Sequence, residues 1–137
     1  MTSVNFWPIL IASIVAFAIG ALWYSPVLFG KEWMALSGIK DSDITDNSKK
    51  GMWKLYLIQL ISTVVTFSVI SFMLAEVGGA TASDGAFFAF IVWLGFPAMI
   101  SVGNILWNKQ PLKLALITNL GTLISWIVGA AIIGAWH

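Results

Sequence analysis

Residues 52–75 read MWKLYLIQLISTVVTFSVISFMLA, an apolar run whose single charged residue, Lys54, stands close to its start. A hydrocarbon core of about 30 Å is crossed by roughly 20 helical residues, so this run is long enough to span a bilayer. Its apolar residues occupy every face and do not alternate as they would in a barrel strand. The run therefore predicts a transmembrane α-helix, in which Lys54 extends its ammonium group to the nearby membrane surface.

Three further runs of similar length and composition occur at about residues 5–24, 85–107 and 114–135. Over the whole chain 59% of the residues are hydrophobic and 9% are charged, whereas a soluble domain carries about 25% charged residues. So few polar residues cannot cover a globule in water. We therefore predict a single integral membrane domain over residues 1–137, an all-α bundle of four transmembrane helices with the lipid bilayer as its solvent.

The lysines predict the orientation of the chain. All seven basic residues are lysines, and they lie in or beside the first and third connections. Short lysine-rich loops stay on the cytoplasmic side of a membrane. We therefore expect both termini outside, a cytoplasmic loop at residues 25–51, and a bacterial inner membrane as the location. The first run is too long for the apolar part of a signal peptide, so we expect it to remain in the mature protein.

The first connection contains an amphipathic segment. Ser25 followed by Pro26 is typical of a helix start, and Gly38 is typical of a position just after a helix end. In a helix between these points the large apolar residues share one face: Phe29, Trp33 and Leu36. The pattern predicts a short interfacial helix lying in the membrane surface, with a re-entrant or irregular loop as the alternative.

Polar residues recur at helical spacing within the apolar runs. Given the predicted orientation, their amides fall in the cytoplasmic half of the membrane. Because a buried amide needs a partner in hydrocarbon, we expect these side chains to face one another. The candidate site comprises Tyr24, Ser25, Gln59, Thr63, Asn104, Asn108 and Asn119. Two interpretations remain open: a structural network that holds the bundle or its subunits together, and a polar vestibule that admits a small solute from the cytoplasm.

Other positions predict how the helices pack. Pro97 leaves the carbonyl of Trp93 without its helical donor, which predicts a bend in the third run. Small residues repeat every four positions in the first and fourth runs, and such seams predict helix contacts in membranes. The seam residues are Ala12, Ala16 and Gly20 in the first run, and Gly121, Ser125 and Gly129 in the fourth.

The sequence is poor in groups that perform chemistry. No Asp, Glu, His or Arg lies in the middle of a run, and the chain has no cysteine. His137, the only histidine, is the last residue, where a tag remnant explains it as well as a native residue does. Asp41, Asp43 and Asp46 lack the glycine of a calcium loop, so we expect a solvated loop there. We expect no metal, no cofactor and no enzymatic activity, and the net charge of +1 suggests no nucleic-acid partner.

Residues 21–34 read ALWYSPVLFGKEWM. This motif resembles the signature of the domain of unknown function 1761 family of small bacterial membrane proteins, and the similarity extends over nearly the whole chain. The resemblance implies about four spans and no established activity, so it carries over motif positions and no functional roles. The motif positions are Trp23, Tyr24, Ser25, Pro26, Phe29, Gly30, Lys31 and Trp33.

Taken together, these features favour a non-enzymatic structural or interaction subunit that self-associates as a homo-oligomer. Spans of roughly 20 residues each enclose little volume in a single chain. The alternative is a small-solute channel or transporter formed by an oligomer around the polar positions. The sequence identifies no small-molecule ligand for either role.

The predicted orientation is tested with reporters fused after residue 137 and within residues 40–49. We expect a periplasmic reporter to be active at the first site and a cytoplasmic reporter at the second, because the lysines retain their loops in the cytoplasm. A cytoplasmic signal from the C-terminal fusion would overturn the lysine argument.

Overall fold

The computed structural model of the protein describes residues 5–38 and 50–136, and over these residues the chain is helical with no strand. The helices are α1 (Phe6–Trp23), α2 (Gly30–Leu36), α3 (Met52–Glu76), α4 (Ala82–Gly95), α5 (Pro97–Trp107) and α6 (Leu112–Ala135). Four units are long and apolar enough to cross a membrane: α1, α3, the α4–α5 pair and α6. The predicted all-α, four-span architecture is confirmed. The loop with Asp41, Asp43 and Asp46, and the terminal His137, lie outside the described residues.

α6 is the central helix of the bundle. It packs along α4 on one side and along α1 on another, while α3 packs mainly against α1. We call the end of the bundle where α1 begins and α6 ends the termini end. The opposite end, which carries Lys31, Lys109 and Lys113, is called the lysine end. The core residues come from α1, α3, α4 and α6: Ile9, Ala12, Ala16, Phe67, Ile70, Leu74, Ala89, Ala130 and Ile133.

Glycines allow α4 and α6 to approach closely near the termini end. A Cβ atom on Gly85 would collide with the carbonyl of Ala130, and one on Gly134 would collide with the carbonyl of Thr81. Association between helices in lipid depends on close packing, because lipid tails compete equally for apolar side chains. These two glycines therefore determine how near the α4 and α6 backbones can lie.

The predicted small-residue seams are only partly contact faces. Ala12 and Ala16 are buried in the core, but a Cβ atom on Gly20 would meet nothing within 4 Å. On α6, Gly121 lies against the indole of Trp23, and Gly129 lies against the ring of Phe67. The α6 seam therefore receives aromatic rings from α1 and α3.

The predicted start of the interfacial helix at Ser25–Pro26 is wrong. Ser25 donates its hydroxyl to the carbonyl of Leu22 at 2.7 Å and so caps the end of α1. Its own carbonyl accepts the N–H groups of Leu28 and Gly30, which folds residues 24–29 into turns and delays α2 until Gly30. A Cβ atom on Gly30 would collide with the carbonyl of Tyr24, so this compact turn requires glycine.

The end of α2 agrees with the sequence, since Gly38 adopts a φ of 76°, a left-handed conformation that favours glycine. The exposed Glu32 of α2 forms an ion pair of 3.0 Å with Lys113 at the start of α6. An exposed pair of this kind contributes less than about 1 kcal/mol. It nevertheless shows that the first and third connections lie at the same end of the bundle.

The third span differs from the continuous helix expected over residues 85–107. α4 begins at Ala82 because Thr81 and Asp84 form a capping box, in which each side chain accepts the other's backbone N–H at 3.1 Å. The helix then breaks at Phe96, whose φ and ψ are −116° and −80°, and α5 starts at Pro97. Pro97 thus produces a break between two helices at the position where a bend was predicted.

The α4–α6 contact predicts that alanine substitution has different effects on stability at two glycines, Gly85 and Gly103. Gly85→Ala should lower the free energy of unfolding in detergent micelles by about 1–3 kcal/mol, because the new methyl group must displace a backbone carbonyl. Gly103→Ala, where a Cβ atom meets nothing within 4 Å, should leave stability unchanged or raise it by up to about 1 kcal/mol. Equal losses at both positions would argue against the close approach.

Candidate functional site

Two tryptophans attach neighbouring helices to the backbone of α6. The indole N–H of Trp23, at the end of α1, donates to the carbonyl of Ile117 at 2.9 Å. The indole N–H of Trp93, on α4, donates to the carbonyl of Asn119 at 2.9 Å. Each carbonyl has two lone pairs, so it can accept an indole while keeping its helical N–H partner. The two bonds hold α1 and α4 to α6 within two residues of each other.

Gly121 makes the first of these contacts possible. A Cβ atom at this position would lie 2.8 Å from both Cδ1 and Nε1 of Trp23. No real side chain tolerates such a distance, so the indole reaches the α6 backbone only across a residue without one. The absence of a side chain at Gly121 thus determines where the end of α1 contacts α6.

Asn119 joins α5 to the same region. Its Nδ2 donates to the hydroxyl of Ser101 at 2.6 Å and to the carbonyl of Ala115 at 2.8 Å. Ser101 belongs to α5, so the Asn119 side chain connects α5 to α6, while the backbone carbonyl of the same residue accepts the Trp93 indole of α4. Asn119 is half-buried and its Nδ2 makes two hydrogen bonds, which supports the structural interpretation of this candidate residue.

The threonines of α6 bond within their own helix. Thr118 donates to the carbonyls of Leu114 and Ala115, at 3.1 and 3.2 Å, and Thr122 donates to that of Thr118 at 3.0 Å. The lysine half of α6 therefore offers a series of carbonyls that accept a second, side-chain donor. Buried polar groups here are satisfied by the helix itself.

Asn104 and Asn108 pair with each other, Asn108 donating through Nδ2 to Oδ1 of Asn104 at 2.9 Å. The carbonyl of Asn104 also accepts the backbone N–H of Gln110 at 3.2 Å, across Lys109, whose φ is 54°. These contacts shape the tight turn from α5 to α6. Elsewhere in this turn, Oε1 of Gln110 is buried and has no partner among the described residues.

Gln59 stands apart from the other amides. Its Nε2 donates weakly to the hydroxyl of Thr63 at 3.5 Å, and that hydroxyl donates to the backbone carbonyl of Gln59 at 2.8 Å. Ser62 and Thr66 on the same stripe also bond within α3. Within residues 5–38 and 50–136, no hydrogen bond joins this stripe to α5 or α6. We expected the amides to face one another, and the structure places them in three separate groups.

Tyr24 and Ser25 belong to the turn after α1 and not to any of these groups. The ring of Tyr24 contacts that of Trp33 edge-on, with centroids 5.5 Å apart. Burial raises the pKa of Tyr24 above its ordinary value, so the phenol is neutral throughout the physiological range. The family motif is therefore a folded unit in which Trp23, Tyr24, Phe29 and Trp33 form two ring pairs.

Trp23, Trp93 and Ser101 carry contacts that sequence reasoning did not assign to the site. Both tryptophans donate to backbone carbonyls of α6. Periodicity could not find these bonds, because their acceptors are main-chain carbonyls, which every residue possesses. Which carbonyls accept these bonds depends on where the helices cross.

Two open clefts lie at the termini end, opposite the predicted vestibule. One has a volume of about 660 Å³ and lies among the first turn of α1, the last turns of α3 and the end of α6. The other, of about 350 Å³, lies between the end of α3 and the first turns of α4. No group of three metal-binding side chains occurs in the described part of the chain.

The four apolar spans define a multi-pass α-helical membrane protein. Residues 7–134 match the family described as protein of unknown function (DUF1761), and the chain belongs to that family. No curated protein and no solved structure matches the chain. The resemblance inferred from residues 21–34 is thereby confirmed.

The tryptophan contacts to α6 are tested by conservative substitution. Trp93→Phe should lower the free energy of unfolding in micelles by about 1 kcal/mol or more, because the Asn119 carbonyl loses a donor and the ring loses area. Trp107→Phe is the matched control, since Trp107 is 85% exposed. If both variants unfold alike, the indole bond contributes nothing measurable.

Proposed function

We propose that this protein is a non-enzymatic structural or interaction subunit that self-associates through α3 in a bacterial inner membrane. The observation that supports this most is the exposed amide of Gln59 on a helix that crosses the membrane. A polar group facing hydrocarbon without a full set of partners is costly. A second copy of the chain supplies an identical amide, which both donates and accepts.

The packing of α3 supports the same proposal. Its buried residues, Phe67, Ile70, Ser71 and Leu74, all lie in the half near the termini end. In the other half, large apolar residues are exposed on several faces of the helix: Leu55 at 63%, Tyr56 at 54%, Ile58 at 60% and Ile61 at 55%. This leaves a broad surface around Gln59 on which a partner helix can pack.

Such an interface combines packing with polar contacts. Interhelical hydrogen bonds in membranes contribute about 0.6–2 kcal/mol each. Reciprocal bonds between two Gln59 side chains would therefore select the register of the two α3 helices, while the exposed apolar residues supply area. Ser62, also exposed, lies on the same stripe and extends the polar line by one turn.

The orientation proposed is both termini outside. Among the described residues, Lys31, Lys54, Lys109 and Lys113 all lie at the lysine end, and Glu76 and Asp84 lie at the other. Lysine-rich ends are retained in the cytoplasm. The ion pair between Glu32 and Lys113 keeps the first and third connections together on that side.

A non-enzymatic role is supported by the state of the candidate site. On α5 and α6 the amides of this site bond to a neighbouring amide, to the Ser101 hydroxyl or to a backbone carbonyl. General acid–base and nucleophilic mechanisms need titratable groups held close to one another. The described middle segments of the spans carry no such group.

The alternative is an oligomeric channel or transporter with a vestibule at the lysine end. One observation favours it: the half of α3 near that end is exposed and presents Gln59, Ser62 and Thr63, which would line a polar space if several α3 helices surrounded it. In this case the same stripe faces solute, and the contacts between subunits are made by other residues.

One pair of substitutions tests both roles. Gln59→Leu should weaken self-association in micelles by about eightfold or more, the equivalent of the two reciprocal hydrogen bonds. Association is measured by light scattering on a dilution series. Gln110→Leu makes the same chemical change away from α3 and should leave association unchanged.

Intact association of Gln59→Leu would contradict the α3 interface. If Gln59→Leu still associates but no longer conducts a solute that the wild-type protein conducts in liposomes, the channel alternative gains support. If Gln59→Leu no longer associates and the wild-type protein conducts no solute, the structural role is supported.

A further inference from the structure

We propose that the 660 Å³ cleft at the termini end binds the ester-linked acyl region of a membrane phospholipid, with Ser71 and Trp136 donating hydrogen bonds to an ester carbonyl. This proposal does not depend on self-association, because the cleft and the exposed surface around Gln59 lie on opposite halves of α3.

The cleft has the size and walls of a ligand site. Its volume of about 660 Å³ falls within the range of about 300–1,000 Å³ typical of small-molecule pockets. Pro8, Leu74 and Ile133 form apolar walls from three different helices, and all three are buried. The loop between α3 and α4 also lines the cleft, through Gly78, Gly79 and Ala80.

Ser71 has an unused hydroxyl in this wall. Its side chain is 9% exposed, and it forms no hydrogen bond with any described residue. On α1 and α3, Ser13, Ser62 and Ser68 donate to the carbonyls four residues earlier, at 2.7, 2.9 and 2.7 Å. A buried hydroxyl that does not bond to its own helix is available to a ligand in the cleft.

The other polar groups of the cleft are also neutral donors. The indole N–H of Trp136 has no acceptor among the described residues. Asn5 uses its Oδ1 to accept the N–H of Trp7 at 3.2 Å, which leaves its amide NH₂ free to donate. No ionisable side chain is among the described residues that line the cleft.

This donor set selects the ligand chemistry. A phosphate or carboxylate would need a cation, and the lysines within residues 5–38 and 50–136 lie at the lysine end. An ammonium group would need an available carboxylate. Asp84, of the neighbouring cleft, already accepts the N–H groups of Ala80 and Thr81. A neutral acceptor joined to an apolar chain fits, and an acyl ester has this composition.

The depth of the cleft indicates a bilayer lipid as the source of the ester. The cleft opens where three apolar spans reach their ends, the level at which a phospholipid changes from acyl chain to headgroup. Tryptophan prefers this level of a membrane, and Trp136 lies there immediately after α6. A lipid whose ester carbonyl reaches Ser71, which lies about one turn deeper in the span than Leu74, would direct its chains past the cleft towards the middle of the bilayer.

The test compares two phospholipids that differ only in the proposed acceptor. The full chain, purified in a maltoside detergent, is titrated with a diacyl phosphatidylethanolamine and with the dialkyl ether of the same chain length. Bound lipid is counted by native mass spectrometry. We expect the diester to bind about three- to tenfold more tightly, the equivalent of one or two modest hydrogen bonds.

Two serine variants locate the effect. Ser71→Ala should bring the two lipids within twofold of each other, whereas Ser68→Ala, which removes a hydroxyl one turn away that is already bonded, should retain the full preference. Trp136→Phe, at an exposed position, should reduce the preference even if Ser71→Ala fails to fold.

Equal binding of diester and diether by the wild type would overturn the proposal, as would an unchanged preference in Ser71→Ala or in Trp136→Phe. Binding of a short-chain fatty acid methyl ester with no binding of either phospholipid would overturn the bilayer lipid as the occupant. The Gln59→Leu variant should keep the lipid preference, so failure of self-association and failure of lipid binding give separate results.

Discussion

Every polar group that enters the hydrocarbon of a bilayer must find its hydrogen-bond partner in the protein. In this chain that constraint first produces helices, since only they satisfy the backbone within one segment. It then acts on side chains, most visibly on α6. There the carbonyls of Ile117 and Asn119 accept indoles from α1 and α4, and the carbonyl of Ala115 accepts the amide of Asn119. The central helix therefore serves as the acceptor for its neighbours.

The two ends of the bundle are held by different means. At the termini end, glycines bring α4 and α6 into backbone contact, and the core from Ile9 to Ile133 is continuous. Towards the lysine end, hydrogen bonds from Trp23, Trp93 and Asn119 add to the packing around α6. α3 takes part in the first arrangement but not in the second. Its exposed half is the physical basis of the proposed self-association.

The candidate residues have separate roles in this arrangement. Asn119 connects helices, Asn104 and Asn108 shape a turn, Ser25 ends α1, and Gln59 faces outward. The sequence grouped these residues by their depth in the membrane, because helical spacing and the positions of the lysines predict depth. Whether two side chains meet also depends on the side of the helix on which each lies relative to the neighbouring helices.

The sequence alone determined the four apolar spans, their end at the lysine-rich connections, the interruption at Pro97 and the family to which the chain belongs. These follow from local properties: hydrophobic length, charge, and the missing N–H of proline. The capping box of Thr81 and Asp84 was equally readable, since its signal is a threonine with an acidic residue three positions later. Only the tertiary structure decided that α6 is central, that Trp23 and Trp93 bond to its backbone, and that α3 leaves Gln59 exposed while a cleft forms beside Ser71. The physical reason is that lipid satisfies any apolar face equally, so the pairing of helices depends on close fit and hydrogen bonds between residues distant in sequence.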